Sequence, residues 1–351
     1  MSELESLRFE AAEYRVRLFL SVDLSGSTAF KNSKDGEARQ TGATPYWVTV
    51  FQQFYSDFPS MFANEFQQQK TASVGSDTCP VLWKAVGDEL VFCGRLTNKK
   101  SCAVALDAFI KTLHDYRKKL TDEGVDLNLK GAGWLAAFPE PNRTVQLHIQ
   151  QDAPDLLPAS EALEVSADLK PFEFDFLGKA IDTGFRVASK AQPDRFALSV
   201  QLARLLANNG PELGFGHQVR FERPSVLKGV NKNEPYPMLH IDTMEHLPTK
   251  EAKQLEREVL REDEAPNPTK LSSYLSAYCT VVGTDEIMLK LNSESPDVEV
   301  PDSYSMHRSK ISAHLMGEQQ REYNGENNGN GDACEASVTL EDVTLNPLYD
   351  K

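Results

Sequence analysis

The alternation of apolar and polar positions predicts strands and helices through the first two thirds of the chain. The apolar run Leu18–Val22 is long enough for one buried strand, and it ends abruptly at Asp23. Other short apolar segments typical of strands are Val81–Lys84, Leu90–Cys93, Leu127–Phe138, Phe172–Leu177, Phe196–Val200, Val219–Val226 and Met238–Ile241. Residues 86–89 lie between two of these segments and predict a tight hairpin turn.

Helical periodicity alternates with these strands. Aromatic residues recur at spacings of three and four between Trp47 and Phe62, which predicts one buried helix face. We expect Thr44 to be the N-cap of this helix with Pro45 at its first helical position, and Pro59 to kink or end the helix. Further helices are predicted over Ser101–Leu120, Ile181–Ala191 and Ser199–Asn208. The order of elements predicts an α+β fold of ferredoxin-like type with a C-terminal extension.

Composition divides the chain into four parts. These are an N-terminal lead at 1–15, a globular body at 16–245, a C-terminal extension at 246–316 and a mobile polar tail at 317–351. Within the body, Pro139–Lys170 is rich in proline and acidic residues, and we interpret it as an inserted surface excursion. The charged segment Glu251–Glu264 predicts a solvated helix face.

Charge and cysteine content exclude several classes of function. The net charge of −15 over 351 residues argues against a protein that coats nucleic acid. The five cysteines form no CxxC pair, which favours a reducing compartment. The acidic start lacks the apolar core of a signal peptide, and no run approaches the roughly 20 apolar residues of a membrane helix. We therefore expect a cytoplasmic protein with no membrane and no nucleic-acid partner.

Two carboxylates are candidates for metal chemistry. Asp23 ends a buried strand, where its charge needs a cationic partner, and the small residues after it allow backbone N–H groups to face an anion. Asp88 lies in the hairpin turn, which can pair beside that strand. Taken alone, Asp23 is better explained as a turn residue before a hydroxyl-rich loop. Together the two carboxylates have the layout of a two-metal site.

Four blocks, in order, resemble the class III nucleotidyl cyclases. They are Asp23-Leu24-Ser25-Gly26-Ser27-Thr28, Lys84-x-x-Gly87-Asp88, the segment Phe174–Arg186 and Leu227-Lys228-Gly229-Val230. The resemblance covers residues 16–245 and implies a ferredoxin-like catalytic domain there. It implies a homodimer with shared active sites that cyclises a nucleoside triphosphate and releases pyrophosphate. It also implies two divalent cations, Mg²⁺ or Mn²⁺, as cofactors.

The resemblance also implies roles for individual residues. Asp23, Asp88 and the carbonyl of Leu24 would bind the metal ions, and Gly26, Ser27, Thr28 and Lys228 would bind phosphates. Lys84 and Asp175 would recognise the base. Arg186 and Asp182 would act in catalysis. The family usually has Asn in place of Asp182, and an ionised Asp can only accept hydrogen bonds. Three interpretations of Asp182 stay open: contact with a ribose hydroxyl, an ion pair with Lys179 or Arg186, and a helix cap.

Two of the segments point to a subfamily. The strand Gly133–Pro139 and the helix Ile181–Arg186 resemble the bacterial pyrimidine cyclases of Pycsar antiphage defence. This resemblance implies synthesis of cyclic UMP or cyclic CMP from UTP or CTP, and a separate effector that the product activates. A Lys donor and an Asp acceptor suit adenine, uracil and cytosine alike, so the pair itself leaves the base open. Selection against purines would need bulky neighbours such as Tyr46, Trp47 or Trp134.

Other functions remain alternatives. An adenylate or guanylate cyclase keeps the same site, and a degenerate module binds nucleotide without turnover. The segment Gly87-Asp88-Glu89-Leu90 is similar to the hairpin of diguanylate cyclases, although Val86 stands where their first Gly belongs. A purely structural ferredoxin-like domain would leave the ordered set of motifs unexplained.

Overall fold

A computed structural model describes residues 3–33, 44–147, 156–245, 247, 249–260 and 264–328. The strands are β1 Arg15–Ser25, β2 Val81–Val86, β3 Glu89–Leu96, β4 Asn128–Phe138, β5 Arg143–Gln146, β6 Phe174–Leu177, β7 Arg195–Leu198, β8 Val219–Val226 and β9 Pro235–Asp242. The helices are α1 Glu3–Ser6, α2 at 27–33, α3 Tyr46–Gln69, α4 Lys99–Asp122, α5 Glu161–Leu169, α6 Lys179–Ala188, α7 Val200–Leu213, α8 Lys250–Leu260, α9 Pro268–Val282 and α10 Asp302–Asn328.

Seven strands form one sheet in the order β2-β3-β1-β4-β7-β9-β8. β4 and β7 pair in parallel, and the other neighbours in this sheet pair antiparallel. β5 and β6 form a separate antiparallel ribbon. The prediction of an α+β fold with an antiparallel sheet and packed helices is confirmed.

Strand β1 is an interior strand of the sheet, between β3 and β4, and its alternating side chains define two packed layers. Leu20 faces the layer of α7, since Leu20 and Leu202 of α7 both lie against the same face of Gly133 in β4. Phe19 faces the opposite layer and stacks on Trp134 with ring centroids 5.5 Å apart. Both faces are therefore buried, which explains the apolar run Leu18–Val22 in the middle of β1.

Helix α3 continues through the proline that was expected to kink or end it. Pro59 lies inside the helix, so the expectation that it ends the helix was wrong. Pro45, and not Thr44, occupies the N-cap position, so the expected cap was also wrong. The buried stripe on either side of Pro59 stays in register through Phe54, Phe58, Phe62 and Phe66. This burial offsets the roughly 3 kcal/mol that a proline costs inside a helix.

Part of the predicted surface excursion Pro139–Lys170 is interior structure. Helix α5 begins at the N-cap Ser160, whose hydroxyl accepts a hydrogen bond from the Leu163 N–H at 3.2 Å. One face of this helix presents acidic side chains to the sheet, and Glu164 has no exposed surface. Residues 148–155 of the excursion lie outside the described residues.

The acidic face of α5 neutralises two arginines of β1 that are completely buried. Arg17 lies 2.7 Å from Glu164 (Nη1–Oε2) and 2.6 Å from Asp168 (Nη2–Oδ1). Arg15 pairs with Glu161 and, at 2.9 Å, with Asp168 (Nε–Oδ2). Burial lowers the pKa of Arg15, but the hydrogen bond with Glu161 and the neighbouring carboxylates raise it further, and its net pKa lies above the ordinary value. We call these five residues the β1–α5 charge network.

The predicted C-terminal extension packs on the body of the chain. Tyr304 of α10 donates a hydrogen bond to the Ala12 carbonyl at 2.8 Å, and α9 packs against α7. The expectation of a solvated face over Glu251–Glu264 was wrong at Arg257, which is buried and pairs with Asp242. Helix α10 crosses the predicted boundary at residue 317, and residues 329–351 lie outside the described residues. Among the described helices, none is long and apolar enough to span a bilayer.

We expect Glu164→Ala to lower the free energy of unfolding by about 3 kcal/mol, because it leaves Arg17 buried with one partner fewer. Asp115→Ala is the matched control: it removes the exposed i,i+4 partner of Lys111 and should cost less than about 1 kcal/mol. Urea denaturation of both variants measures the difference. Equal losses would show that the network does not constrain the fold.

Candidate active site

The end of β1 brings two carboxylates and one lysine ammonium into one row. Asp23 lies opposite Glu89 of β3 on one side and opposite Lys130 of β4 on the other. The Lys130 ammonium lies 2.7 Å from the Asp23 carboxylate (Nζ–Oδ2), and both side chains are partly exposed. Sequence analysis had selected Asp23 but neither neighbour, because strand register is not visible in the sequence.

The β2–β3 turn places Asp88 beside the end of β1. Gly87 has φ +64°, which permits the tight turn, and its carbonyl accepts a hydrogen bond from Tyr55. The Asp88 carbonyl accepts from the Leu24 N–H at 3.3 Å, and its carboxylate accepts from the Ser27 hydroxyl. The structure therefore brings Asp23, Leu24 and Asp88 together, as expected of the metal-binding set.

Helix α2 begins at this same point. Gly26 has φ +92° and turns the chain out of β1, and its carbonyl accepts the helical hydrogen bond of Phe30 at 3.0 Å. Residues Ser27 and Thr28 are the first of the helix. Their backbone N–H groups have no partner within a helix, so this segment can hold an anion next to the two aspartates.

The electrostatics of the row favour an added cation. Burial raises the pKa of Asp23 above its ordinary value; Lys130 opposes the shift and the charge of Asp88 adds to it. Burial likewise raises the pKa of Glu89, with a contribution from Asp23. These carboxylates repel one another in a half-buried site, and a bound cation would relieve the repulsion.

The oxygen atoms of this site fit a Mg²⁺ or Mn²⁺ ion that is bound together with substrate phosphates. Across the described ranges, no group of three or more His, Cys, Asp or Glu side chains is arranged to hold a metal ion by itself. Mg²⁺ is usually bound through one or two carboxylates together with substrate phosphates and water. Asp23, Asp88 and the Leu24 carbonyl match that incomplete set of hard oxygen ligands.

A second charged pair lies on the neighbouring edge of the sheet. Lys84 of β2 contacts Asp175 of β6 at 2.7 Å (Nζ–Oδ1), with each side chain about one third exposed. The Trp83 indole donates to the Phe174 carbonyl at 3.0 Å, which fixes β6 against β2. The two residues expected to recognise the base are thus adjacent in space, although they are far apart in the sequence.

Helix α6 carries the expected catalytic residues on its exposed face. Asp182 and Arg186 lie one turn apart, both exposed, and neither side chain has a hydrogen bond or ion pair with the residues that the structure describes. Gly178 occupies the N-cap position, so the interpretation of Asp182 as the helix cap was wrong. The expected pairing of Asp182 with Lys179 or Arg186 is also not formed.

Close packing fixes where this face points. A Cβ atom on Gly184 would lie 2.4 Å from the Trp134 ring, so α6 rests directly on β4. Trp134 has no exposed surface, and the hypothesis that it narrows the base pocket was therefore wrong. Tyr46, in contrast, is about half exposed (49%) at the start of α3.

Lys228 is remote from the carboxylates within one chain. Asp23 pairs with Lys130 of β4 at one end of the sheet. The pairing of β4 with β7, and of β7 with β9, places Asp242 of β9 at the same end. Lys228 is exposed in the turn after β8, beyond the pairing of Val226 with Pro235. At about 3.3 Å per residue, this turn lies roughly 20 Å along the strands from the Asp23 end.

No family model and no curated protein sequence matches the chain. Among solved structures it is similar to the adenylyl cyclase CyaB from P. aeruginosa, with 12% identity over 65% of this chain and 94% of that one and a TM-score of 0.42. It is similar to the guanylate cyclase domain of RhGC from Catenaria anguillulae in complex with GTP, with 10% identity, 66% and 98% coverage and a TM-score of 0.41. It is also similar to the guanylyl cyclase Cya2, with 12% identity over 66% of this chain and 93% of that one and a TM-score of 0.39. At such low identities and TM-scores, these likenesses carry no inference about activity.

We expect Gly184→Ala to lower the free energy of unfolding by about 1–3 kcal/mol, because the added methyl group overlaps the Trp134 ring. Gly317→Ala in α10 is the control, since its Cβ would meet no atom within 4 Å; its effect should stay within about 1 kcal/mol and favour folding. Urea denaturation compares the two. A neutral Gly184→Ala would mean that α6 does not rest on β4 as described.

Proposed function

We propose that the protein is a nucleotidyl cyclase, which converts a nucleoside triphosphate into its 3′,5′-cyclic monophosphate and pyrophosphate. One observation carries the proposal: Asp23 and Asp88, distant in sequence, meet beside the start of α2. This combination of acidic ligands and the N–H groups at a helix start suits a metal-bound triphosphate. The Lys84–Asp175 pair supports it, because it offers a donor and an acceptor to a base.

In the proposed reaction, the ribose 3′ oxygen attacks the α-phosphorus, and the bond from that phosphorus to the pyrophosphate oxygen breaks. Two divalent cations, held by Asp23, Asp88 and the Leu24 carbonyl, would lower the pKa of the attacking hydroxyl and neutralise the leaving group. The N–H groups of Gly26 to Thr28 would bind the β- and γ-phosphates.

The remaining roles fall to residues of the exposed helix and the late turn. Arg186 would stabilise the charge that develops on the α-phosphate oxygens. Lys228 would bind a departing phosphate. Asp182, which cannot donate a hydrogen bond when ionised, would accept one from a ribose hydroxyl. Lys84 and Asp175 would contact the base edge.

We infer that the active sites are shared between two copies of the chain. Lys228 lies at the other end of the sheet from Asp23, so one nucleotide cannot contact both residues in one subunit. A homodimer in which one subunit supplies Asp23 and Asp88, and the other supplies Arg186 and Lys228, removes this difficulty. A C₂ dimer would contain two such sites.

For the base we propose a pyrimidine, with UTP before CTP. Support comes from the resemblance of Gly133–Pro139 and Ile181–Arg186 to the Pycsar pyrimidine cyclases. With Trp134 buried, steric exclusion of purines would fall to Tyr46 or Trp47. The same resemblance leads us to propose a role in antiphage defence, with a separate effector that responds to the cyclic nucleotide.

One observation favours a second candidate, a nucleotide-binding module without turnover. Asp182 is an exposed carboxylate with no partner in the described structure, on a helix face expected to meet phosphates. A carboxylate there repels a triphosphate unless a cation intervenes.

Incubation with each of ATP, GTP, CTP and UTP in Mn²⁺ tests both candidates, with products resolved by mass. We expect cyclic UMP or cyclic CMP to dominate. Cyclic AMP or cyclic GMP would retain the cyclase and remove the pyrimidine assignment. Nucleotide binding without product, in a dimer of intact fold, would favour the binding module.

The shared site predicts complementation between inactive variants. Asp23→Ala and Arg186→Ala should each lower kcat by about 10²–10³-fold, as for other deleted transition-state contacts. Co-expressed, they form heterodimers with one intact site, so the mixture should recover about a quarter of wild-type activity if subunits pair at random. Differently tagged chains confirm that heterodimers form. Heterodimers that stay inactive would contradict shared sites.

A further inference from the structure

We propose that Lys130 competes with the divalent cation for Asp23, and so neutralises this carboxylate until a metal-bound nucleotide displaces the lysine. This rests on the proposed function of the site. The ammonium is 2.7 Å from the Asp23 carboxylate, where a metal ligand would otherwise be free. Lys130 therefore supplies internally the positive charge that a cation would bring.

The sheet register makes this contact specific. Lys130 is the direct cross-strand neighbour of Asp23, on the side of β1 opposite to Glu89. Directly opposed side chains in an antiparallel pair lie about 5 Å apart at Cβ, which is within reach of an extended lysine. The position of Lys130 is thus set by the backbone pairing of β1 with β4, and not by a flexible loop.

A purely stabilising role does not account for the pair. The side chains of Lys130 and Asp23 are 31% and 20% exposed, and ion pairs with this access to solvent contribute little to stability. The β1–α5 charge network shows how the same strand pairs charges for structure: its arginines have no exposed side-chain surface. The Asp23–Lys130 pair is instead placed where solvent, and a ligand, can reach it.

The chemistry of lysine suits a displaceable partner. Its ammonium is a point charge on a flexible stem, so it can leave one carboxylate without strain. Glu89 is a second carboxylate within electrostatic range of Lys130, which can retain the ammonium when a cation takes Asp23. Asp88 is held by Ser27 and needs no such exchange.

Mn²⁺ binding without nucleotide tests the proposal, because it needs no turnover. Electron paramagnetic resonance of free Mn²⁺ gives the affinity of the wild-type dimer, of Lys130→Met and of Lys130→Arg. We expect Lys130→Met to bind Mn²⁺ at least about tenfold more tightly, which is about 1.4 kcal/mol. Lys130→Arg keeps the charge and should bind as weakly as the wild type.

Two further variants control the measurement. Lys111→Met removes a charge from an exposed ion pair with Asp115 and should leave Mn²⁺ affinity unchanged. Asp23→Asn in the Lys130→Met background should abolish the gain, because the gain requires the Asp23 carboxylate. Should Lys130→Met fail to fold, Lys130→Gln removes the same charge with a polar side chain of shorter reach.

Mn²⁺ affinity that is equal to or weaker than that of the wild type, in a folded Lys130→Met or Lys130→Gln, overturns the proposal. The absence of Mn²⁺ binding in all variants overturns it as well. Failure of the proposed function has a different signature: Mn²⁺ binding follows the expected order, yet none of the four nucleotides is cyclised.

Discussion

Arg15 and Arg17 project from strand β1 into the interior with no exposed side-chain surface. The transfer of a guanidinium from water costs several kcal/mol unless a carboxylate accompanies it. Strand β1 can therefore occupy its interior position in the sheet only when the acidic face of α5 packs against it. Residues that look like a surface insertion are, for this reason, a condition of the fold. Such a network can add little net stability, and its effect here is to specify where α5 lies.

The same network reaches the candidate site through the β5–β6 ribbon. The Arg17 guanidinium lies over the ring of Phe176, 4.9 Å from its centroid, and so draws β6 onto the sheet. On β6, Asp175 is the residue before Phe176, and its side chain contacts Lys84. The pair expected to recognise a base is consequently positioned by a buried charge on another strand. Disruption of the β1–α5 contacts would move Asp175 as well as weaken the fold.

The sequence predicted what depends on local patterns and missed what depends on pairing. Eight of the nine described strands, the helix over Ser101–Leu120 and the Gly87-Asp88 turn follow from periodicity and turn chemistry, and the structure contains them. Strand β5 was missed, because it lies in the segment interpreted as a surface excursion. The buried ion pairs of α5 were missed, because acidic residues at spacings of three and four also describe a solvated helix. Lys130 was missed because its neighbour is set by the β1–β4 register. Pro59 was misjudged because buried aromatic residues outweigh the local cost of proline.

Charges are fully compensated at the start of β1 and only partly compensated at its end, and this contrast indicates where the site lies. At the start of the strand, carboxylates surround each buried arginine, and no solvent reaches the arginine side chains. At its end, Asp23 shares one lysine with neighbouring carboxylates, remains partly exposed, and has a raised pKa. Because the charges at the start of β1 are fully compensated within the protein, the fold itself does not require the partial compensation around Asp23. The incomplete end is where a cation and a phosphate have the most to contribute, since both halves of that compensation come from a ligand.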